Sequence, residues 1–244
     1  MKTSNIKDLF TNNNFDYKKN EDKILKICEI TKTRVDPNKK NIKEHYGIEQ
    51  SFIIHFLANV FKSESFFEIG TGRGTASYSI SLCDTMKKIN TFDIIPFERN
   101  FQTAVNFKSF FGSNKDLYDL IPFKEKEKIK FLHIKELNEK YNVENKNKYD
   151  MAFIDGNHSN YNIIMNDFIN SNNIVKDDGI IVFDDYGNFP VVTKVVNDIM
   201  KKHKEYEYLY VPFRGYLFMP DKKDEKSGEV ILFKNPQDIS KIYK

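Results

Sequence analysis

The sequence predicts an α/β fold, an open and largely parallel sheet with helices on both faces, and three observations carry that expectation. Short apolar runs such as Tyr149 to Ile154 alternate with segments of helical apolar period such as Pro190 to Lys202, the pattern of strands joined by crossover helices. One run, Phe66-Phe67-Glu68-Ile69, enters Gly70-Thr71-Gly72-Arg73-Gly74-Thr75-Ala76. Glycines at alternate positions let the chain turn sharply there and admit a ligand against the backbone. Two further runs end in acid, at Asp155 and at Asp184-Asp185, and in such sheets ligands sit outside the carboxyl ends of the strands.

Composition bounds the rest. The 244 residues, 40% of them hydrophobic, suffice for one full core. The expected division is a helical extension or cap over 1–46 and a catalytic domain over 47–244. A formal charge of +3, with Lys spread among Glu and Asp, reads as solvated surface and leaves no nucleic-acid footprint. Cys28 and Cys83 are far apart and lack metal spacing, so neither a disulfide framework nor a zinc site is expected, and a reduced cytoplasmic compartment fits. Met1 to Phe10 lacks an apolar h-region, and the longest apolar run, Phe52 to Phe61, is broken by His55 and Asn59. Neither a signal peptide nor a membrane span is expected. Association into a homo-oligomer is compatible with the sequence and not specified by it.

In chain order, residues 1–46 are rich in Lys and Asn, with a short helix at Glu21 to Thr31 and a turn at Asp36-Pro37-Asn38. From Gly47 to Phe61, the spacing of Ile48, Phe52, Phe56 and Val60, with Ile53 and Leu57 beside them, gives a helix with one buried face. His45 and Tyr46 precede it at a helix start, where a lone His is more often a surface or capping residue. Thr75 to Met86 reads as the first crossover helix and Ile89 to Ile95 as a buried parallel strand with Asp93 near its end. An acidic residue about 20 positions beyond a glycine loop can accept hydrogen bonds from both ribose hydroxyls of an adenosine. The glycine spacing itself puts Thr75 where a dinucleotide loop has its third glycine, which argues against NAD.

Pro96 to Lys128 is long for one connection and reads as a helix followed by an irregular insert. Its Phe97, Phe101, Phe107, Phe110, Phe111, Tyr118 and Phe123 either pack on the sheet or wall an acceptor site. Ile129 to Ile134 is a third strand. Pro190 to Lys202 carries Val192, Val195, Val196 and Ile199 on one face behind a proline at its start. Glu205 to Pro212 and Gly228 to Lys234 read as two terminal strands, and the polar loop Lys222 to Ser227 receives no role.

If the runs ending at Asp155 and at Asp184-Asp185 are neighbouring strands, their ends lie about 5 Å apart and the three carboxylates converge. So close, they raise one another's pKa unless a cation or donors neutralise them. Oxygen ligands without Cys or several His suit Mg²⁺, or Mn²⁺ or Ca²⁺, rather than zinc.

These motifs carry a family resemblance. Glu68 followed by Gly70, Gly72 and Gly74 resembles motif I of the class I S-adenosylmethionine-dependent methyltransferases. Phe153-Ile154-Asp155-Gly156-Asn157-His158 with Tyr161, and Ile181-Val182-Phe183-Asp184-Asp185-Tyr186, resemble the paired motifs of the metal-dependent small-molecule O-methyltransferases. That group takes in the methyltransferase 24 and macrocin O-methyltransferase kind, and the match covers roughly residues 47 to 200. The resemblance implies a Rossmann-like doubly wound seven-stranded sheet in the order 3-2-1-4-5-7-6 with an antiparallel last pair. It implies S-adenosylmethionine held by Glu68, Gly70, Thr71, Gly72, Gly74, Asp93, Ile94 and Asp155, with Glu68 positioning the loop or the amino-acid end. Asp155, Asp184 and Asp185 would hold the metal, and the helix start at His45 and Tyr46 would border a pocket.

One departure is specific. Many relatives read Asp-Gly-Asp where this chain has Asp155-Gly156-Asn157, and Asn157 takes no proton at pH 7. His158 beside it does, with an ordinary pKa near 6.5 suited to general-base work. The expected activity is methyl transfer from S-adenosylmethionine to a hydroxyl of a small molecule, a sugar, phenol or natural product, with His158 and Asp155 as catalytic residues. The alternatives are a metal-independent methyltransferase with His158 as base, in which the aspartates only organise the loops, and a non-catalytic cofactor-binding subunit.

Overall fold

The computed structural model describes residues 1–31, 47–105 and 107–243, with 103–105 and 107–110 described by backbone alone. The turn at Asp36-Pro37-Asn38 and the pair His45 and Tyr46 lie outside the described residues. The chain opens with β1 (Lys2–Thr3), α1 (Ile6–Asn12), α2 (Glu21–Thr31) and α3 (Gln50–Val60). β2 (Ser65–Ile69), α4 (Thr75–Ser81) and β3 (Lys88–Asp93) follow. Next come β4 (Phe101–Val105), β5 (Phe107–Gly112), α5 (Asn114–Leu120), β6 (Ile129–His133) and α6 (Glu139–Glu144). The second half is β7 (Tyr149–Ile154), α7 (Tyr161–Ile174), β8 (Val175–Tyr186), α8 (Pro190–Lys202), β9 (Glu207–Pro212) and β10 (Gly228–Phe233).

The main sheet runs β6-β3-β2-β7-β8-β10-β9-β1. Without β1, and numbered in chain order, this is the expected 3-2-1-4-5-7-6, and β10 is antiparallel to both neighbours. β1 is an addition that the sequence did not announce: Lys2 and Thr3 pair in parallel with Leu209 and Tyr210 on the far edge. Alternation across the strands builds two cores. Met151 and Phe153 of β7 enter the layer with α1, α2, α3 and α4, while Ala152 and Ile154 enter the layer with α7 and α8. That two-sided burial is why β7 reads as a continuous apolar run.

Three elements depart from the sequence reading. The segment 96–128 opens with the β4–β5 hairpin, not with a helix, pairing Phe101 with Gly112 and Val105 with Phe107. Its residues are rich in aromatic and β-branched types, which favour a pleated strand, and the near-helical spacing of its phenylalanines was a weaker signal. α4 stops at Ser81 rather than running to Met86: beyond it the chain tightens into turns, Cys83 N donating to the Ile80 carbonyl and Met86 N to the Cys83 carbonyl, and Lys128 Nζ satisfies the carbonyls of Ser81 at 2.8 Å and Cys83 at 3.2 Å. β8 is longer than Gly179 to Phe183. Tyr149 pairs with Val175 and Met151 with Ile180, so a register shift absorbs the intervening polar residues and hides the strand's start.

Candidate active site

The sheet's order reverses between β2 and β7, and the glycine loop meets the first acidic strand end at that seam. Asp155 N donates to the Ile69 carbonyl at 2.9 Å, and Gly70 N to the Phe92 carbonyl at 2.8 Å. Gly70 has φ +97°, and a Cβ there would lie 2.0 Å from the Asp155 carbonyl oxygen, so only glycine fits. Beside Gly72 the space is empty to 4 Å. Its amide donates to Asp93 Oδ2 at 2.9 Å, and Ile95 N to Asp93 Oδ1 at 2.9 Å. Asp93 therefore braces the loop, and its carboxylate keeps lone pairs beyond these two bonds. Ile94 beside it is 73% exposed.

Behind the loop lies a network of hydroxyls. Glu68 is 1% exposed, and its Oε2 accepts from Ser77 Oγ at 2.6 Å and Thr91 Oγ1 at 2.5 Å. Thr91 Oγ1 also lies 2.6 Å from Thr71 Oγ1. Burial pushes the Glu68 carboxyl up to about 7 against these two donors, which act the other way. Glu68 thus ties β2, β3, α4 and the glycine loop together. The N-terminal region reaches the loop from outside, where Arg73 Nη1 donates to the Thr31 carbonyl at 3.1 Å, at the end of α2.

At the next two strand ends the structure gathers Asp155, His158 and Asp185, one ligating atom of each lying within 4.8 Å of the others. His158 Nε2 is 3.7 Å from Asp155 Oδ1 and 3.8 Å from Asp185 Oδ2. Asn157 is turned inward: its Oδ1 accepts from Ser159 N at 2.9 Å and Asn160 N at 2.6 Å. It organises the turn that presents His158. The imidazole also stacks on Phe189, 4.6 Å between centroids at 12°. Asp185 has φ +59°, a left-handed backbone that a non-glycine residue adopts at a cost. Its carbonyl accepts from Asn188 N and Phe189 N at 3.1 and 3.2 Å, closing the turn into α8.

Asp184, expected among the metal ligands, is buried at 3% exposure and does not belong to this group; His158 stands in the third place. β8 breaks its alternation here, with Asp185 at φ +59° and a register shift between the Phe183–Val230 and Tyr186–Gly228 pairs, and that irregularity aims Asp185 Oδ2 at His158. The sequence reading also missed Arg214, whose Nη2 donates to Asp185 Oδ1 at 2.8 Å. A lone Arg in a connector carries no local signal. Phe97 and Tyr118 of the 96–128 segment pack on Phe131 at the sheet edge, Phe97 stacked at 4.5 Å.

Two carboxylates and an imidazole form a donor set suited to a first-row divalent ion such as Mn²⁺. Ligands around such an ion at about 2.0–2.6 Å stand roughly 3 to 5 Å apart, and the spacings of 3.7 and 3.8 Å fall in that range. The residues therefore fit a metal.

Residues 67–186 match the profile of a family described as a methyltransferase domain. No curated protein matches the sequence. Among solved structures, the chain is similar to the O-methyltransferase TomG from Streptomyces achromogenes, involved in tomaymycin synthesis and solved with SAM. The identity is 11%, over 87% of this chain and 89% of that one, with a TM-score of 0.57. It is similar to the Bacillus cereus O-methyltransferase solved with SAH, at 11% identity over 86% and 89% of the two chains, TM-score 0.53. The SAH-bound Podospora anserina methyltransferase PaMTH1 gives 16% identity over 87% of each chain, TM-score 0.54. At these identities the likeness is one of fold.

Proposed function

We propose that this chain, whose residues 67–186 match a methyltransferase-domain family, transfers the methyl group of S-adenosylmethionine to a hydroxyl oxygen of a small molecule, assisted by a divalent ion. The observation that carries this reading is the direct contact of the two loops: Gly70 lies against the backbone of Asp155, so a cofactor on the glycine loop and an acceptor at the acidic strand ends share one edge. The structures of TomG and of the Bacillus cereus enzyme, solved with SAM and SAH, support the choice of cofactor.

The cofactor supplies an electrophilic methyl on a sulfonium, and the ion supplies Lewis acidity at the acceptor oxygen. Gly70, Gly72 and Gly74 admit the cofactor, Thr71 and Ile94 border it, and Asp93 accepts from the ribose hydroxyls. Asp155 and Asp185 hold the ion, with Asp184 the next carboxylate on the same strand. With the ion present, His158 Nε2 would be its third ligand and the acceptor hydroxyl would be acidified by it. Without it, Nε2 takes the hydroxyl proton as the O–C bond forms and the C–S bond breaks, and the carboxylates of Asp155 and Asp185 stabilise the resulting imidazolium. Holding the oxygen in line with the methyl replaces a bimolecular encounter. Tomaymycin synthesis, where TomG acts, makes a natural-product hydroxyl one acceptor class to try.

Residues 1–46 serve in this reading as a cap, for which the Arg73 contact to Thr31 is the support. Among the described residues no helix is long and apolar enough to cross a membrane, and Cys28 and Cys83 are buried thiols. The buried thiols accord with a reduced, cytoplasmic setting.

A second reading, metal-free with His158 as sole base, is favoured by the guanidinium already paired to Asp185. Calorimetric titration with S-adenosylhomocysteine, in parallel with Mn²⁺ and with EDTA, separates these. Cofactor binding in both conditions with a distinct Mn²⁺ signal is the expected result. Cofactor binding without a Mn²⁺ signal selects the metal-free reading, and no cofactor binding in either condition refutes both.

A further inference from the structure

The connector from Phe213 to Ser227 delivers a buried cation to the acid cluster. Arg214 is 5% exposed, and its Nη2 donates to Asp185 Oδ1 at 2.8 Å while Nη1 donates to Ser227 Oγ at 2.9 Å. Ser227 Oγ donates in turn to Asp224 Oδ2, and the Asp224 amide donates to the Arg214 carbonyl at 3.1 Å. The guanidinium is gripped from behind by its own loop. That loop is itself pressed on the turn after Asp185: a Cβ on Gly187, which has φ +81°, would lie 1.7 Å from the Lys226 carbonyl oxygen. Withdrawing Arg214 from Asp185 would therefore require the whole connector to move.

The two oxygens of Asp185 divide their partners. Oδ1 accepts from Arg214 and also from Asn188 Nδ2 at 2.9 Å, whereas Oδ2 faces His158. Two donors saturate one oxygen and leave the other to the cluster. Charge is divided too. Asp155 and Asp185 bring two negative charges and Arg214 one positive, so a divalent ion drawn to the cluster meets a fixed like charge one carboxylate away. Asp185 and Arg214 are buried while Asp155 and His158 are half-buried, so that repulsion is only partly screened.

We infer that Arg214 is a positioning residue that acts as the resident counter-cation of Asp185, presenting Oδ2 to the cluster and weakening the cluster's hold on a divalent ion. This rests on the proposed metal reading only for the identity of the ligand. A role confined to holding the fold makes the opposite prediction, since loss of Arg214 would then disorder the ligands and loosen the ion.

The experiment follows free Mn²⁺ by electron paramagnetic resonance during titration of the wild type, Arg214→Gln, Arg214→Met and Arg214→Lys, with calorimetry against S-adenosylhomocysteine on each. The neutral variants should bind Mn²⁺ at least about tenfold more tightly than the wild type, and Arg214→Lys within about threefold of it. If the neutral variants are too unstable to titrate, the same effect should appear as a Mn²⁺-dependent rise in melting temperature larger than that of the wild type. Equal or weaker Mn²⁺ binding by both neutral variants overturns the inference alone. Mn²⁺ binding by the neutral variants and not by the wild type supports it and removes the metal from the proposed function. No Mn²⁺ binding by any of them, with S-adenosylhomocysteine still bound, overturns both.

Discussion

Replacing Glu68 by glutamine isolates the cost of keeping a carboxyl beneath the glycine loop. Burial lifts Glu68 from 4.5 to about 7 in the folded protein, with Ser77 and Thr91 donating to it. One pKa unit corresponds to 1.36 kcal/mol, so the folded state loses about 3 kcal/mol relative to the unfolded chain once Glu68 is ionised in both. The folded pKa is the raised one. The associated stability is therefore fully present below pH 4.5 and is lost as pH rises through about 7. A glutamine in that place does not titrate, and its carbonyl still accepts from both hydroxyls. The Asp167 carboxyl, which burial also lifts to about 7, is common to both proteins and cancels in the comparison. Urea unfolding of wild type and Glu68→Gln at intervals from pH 4 to 8 should show the variant gaining about 3 kcal/mol relative to the wild type across that range. The assay reads the change in the difference, so any constant offset from packing drops out. Parallel stability profiles would refute the assignment of a protonated carboxyl beneath the loop.

Three further outcomes follow from the geometry. Gly70→Ala, which drives a methyl group to 2.0 Å from the Asp155 carbonyl at φ +97°, should cost roughly 3 kcal/mol or more and lower the melting temperature by about 6 °C or more; a shift under about 2 °C contradicts the close approach. Asp185→Asn should abolish Mn²⁺ binding and leave S-adenosylhomocysteine affinity within about threefold, while uncovering the buried Arg214 at a cost of about 3 to 5 kcal/mol in urea unfolding. Asp93→Asn, which weakens the brace on the Gly72 amide, should raise the S-adenosylhomocysteine dissociation constant by about tenfold with a stability loss near 1 kcal/mol; unchanged affinity in calorimetry removes Asp93 from the cofactor site.

Much of the fold was legible in the residues because local signals agreed with one another. Tyr149–Ile154 and Pro190–Lys202 have the expected bounds, since an apolar run and a proline-led amphipathic period each state their own structure. The 96–128 segment was misread because its phenylalanines satisfy two periods at once, and pairing across the hairpin, a contact beyond any local window, chose the strand. The end of α4 was hidden for a similar reason, the Lys128 that satisfies its last carbonyls lying 47 residues from Ser81.

The sequence by itself determined the strand–glycine–helix loop and the acid at the ends of β7 and β8, because glycine spacing and strand ends are local properties of the chain. Only the tertiary structure decided which groups meet there. It set His158 between Asp155 and Asp185 through the inward turn of Asn157, left Asp184 outside that group, and brought Arg214 to Asp185 from a connector 29 residues away. The physical reason is the range of the forces: backbone preference acts over a few residues, whereas a buried charge selects its partner wherever the packed chain places one.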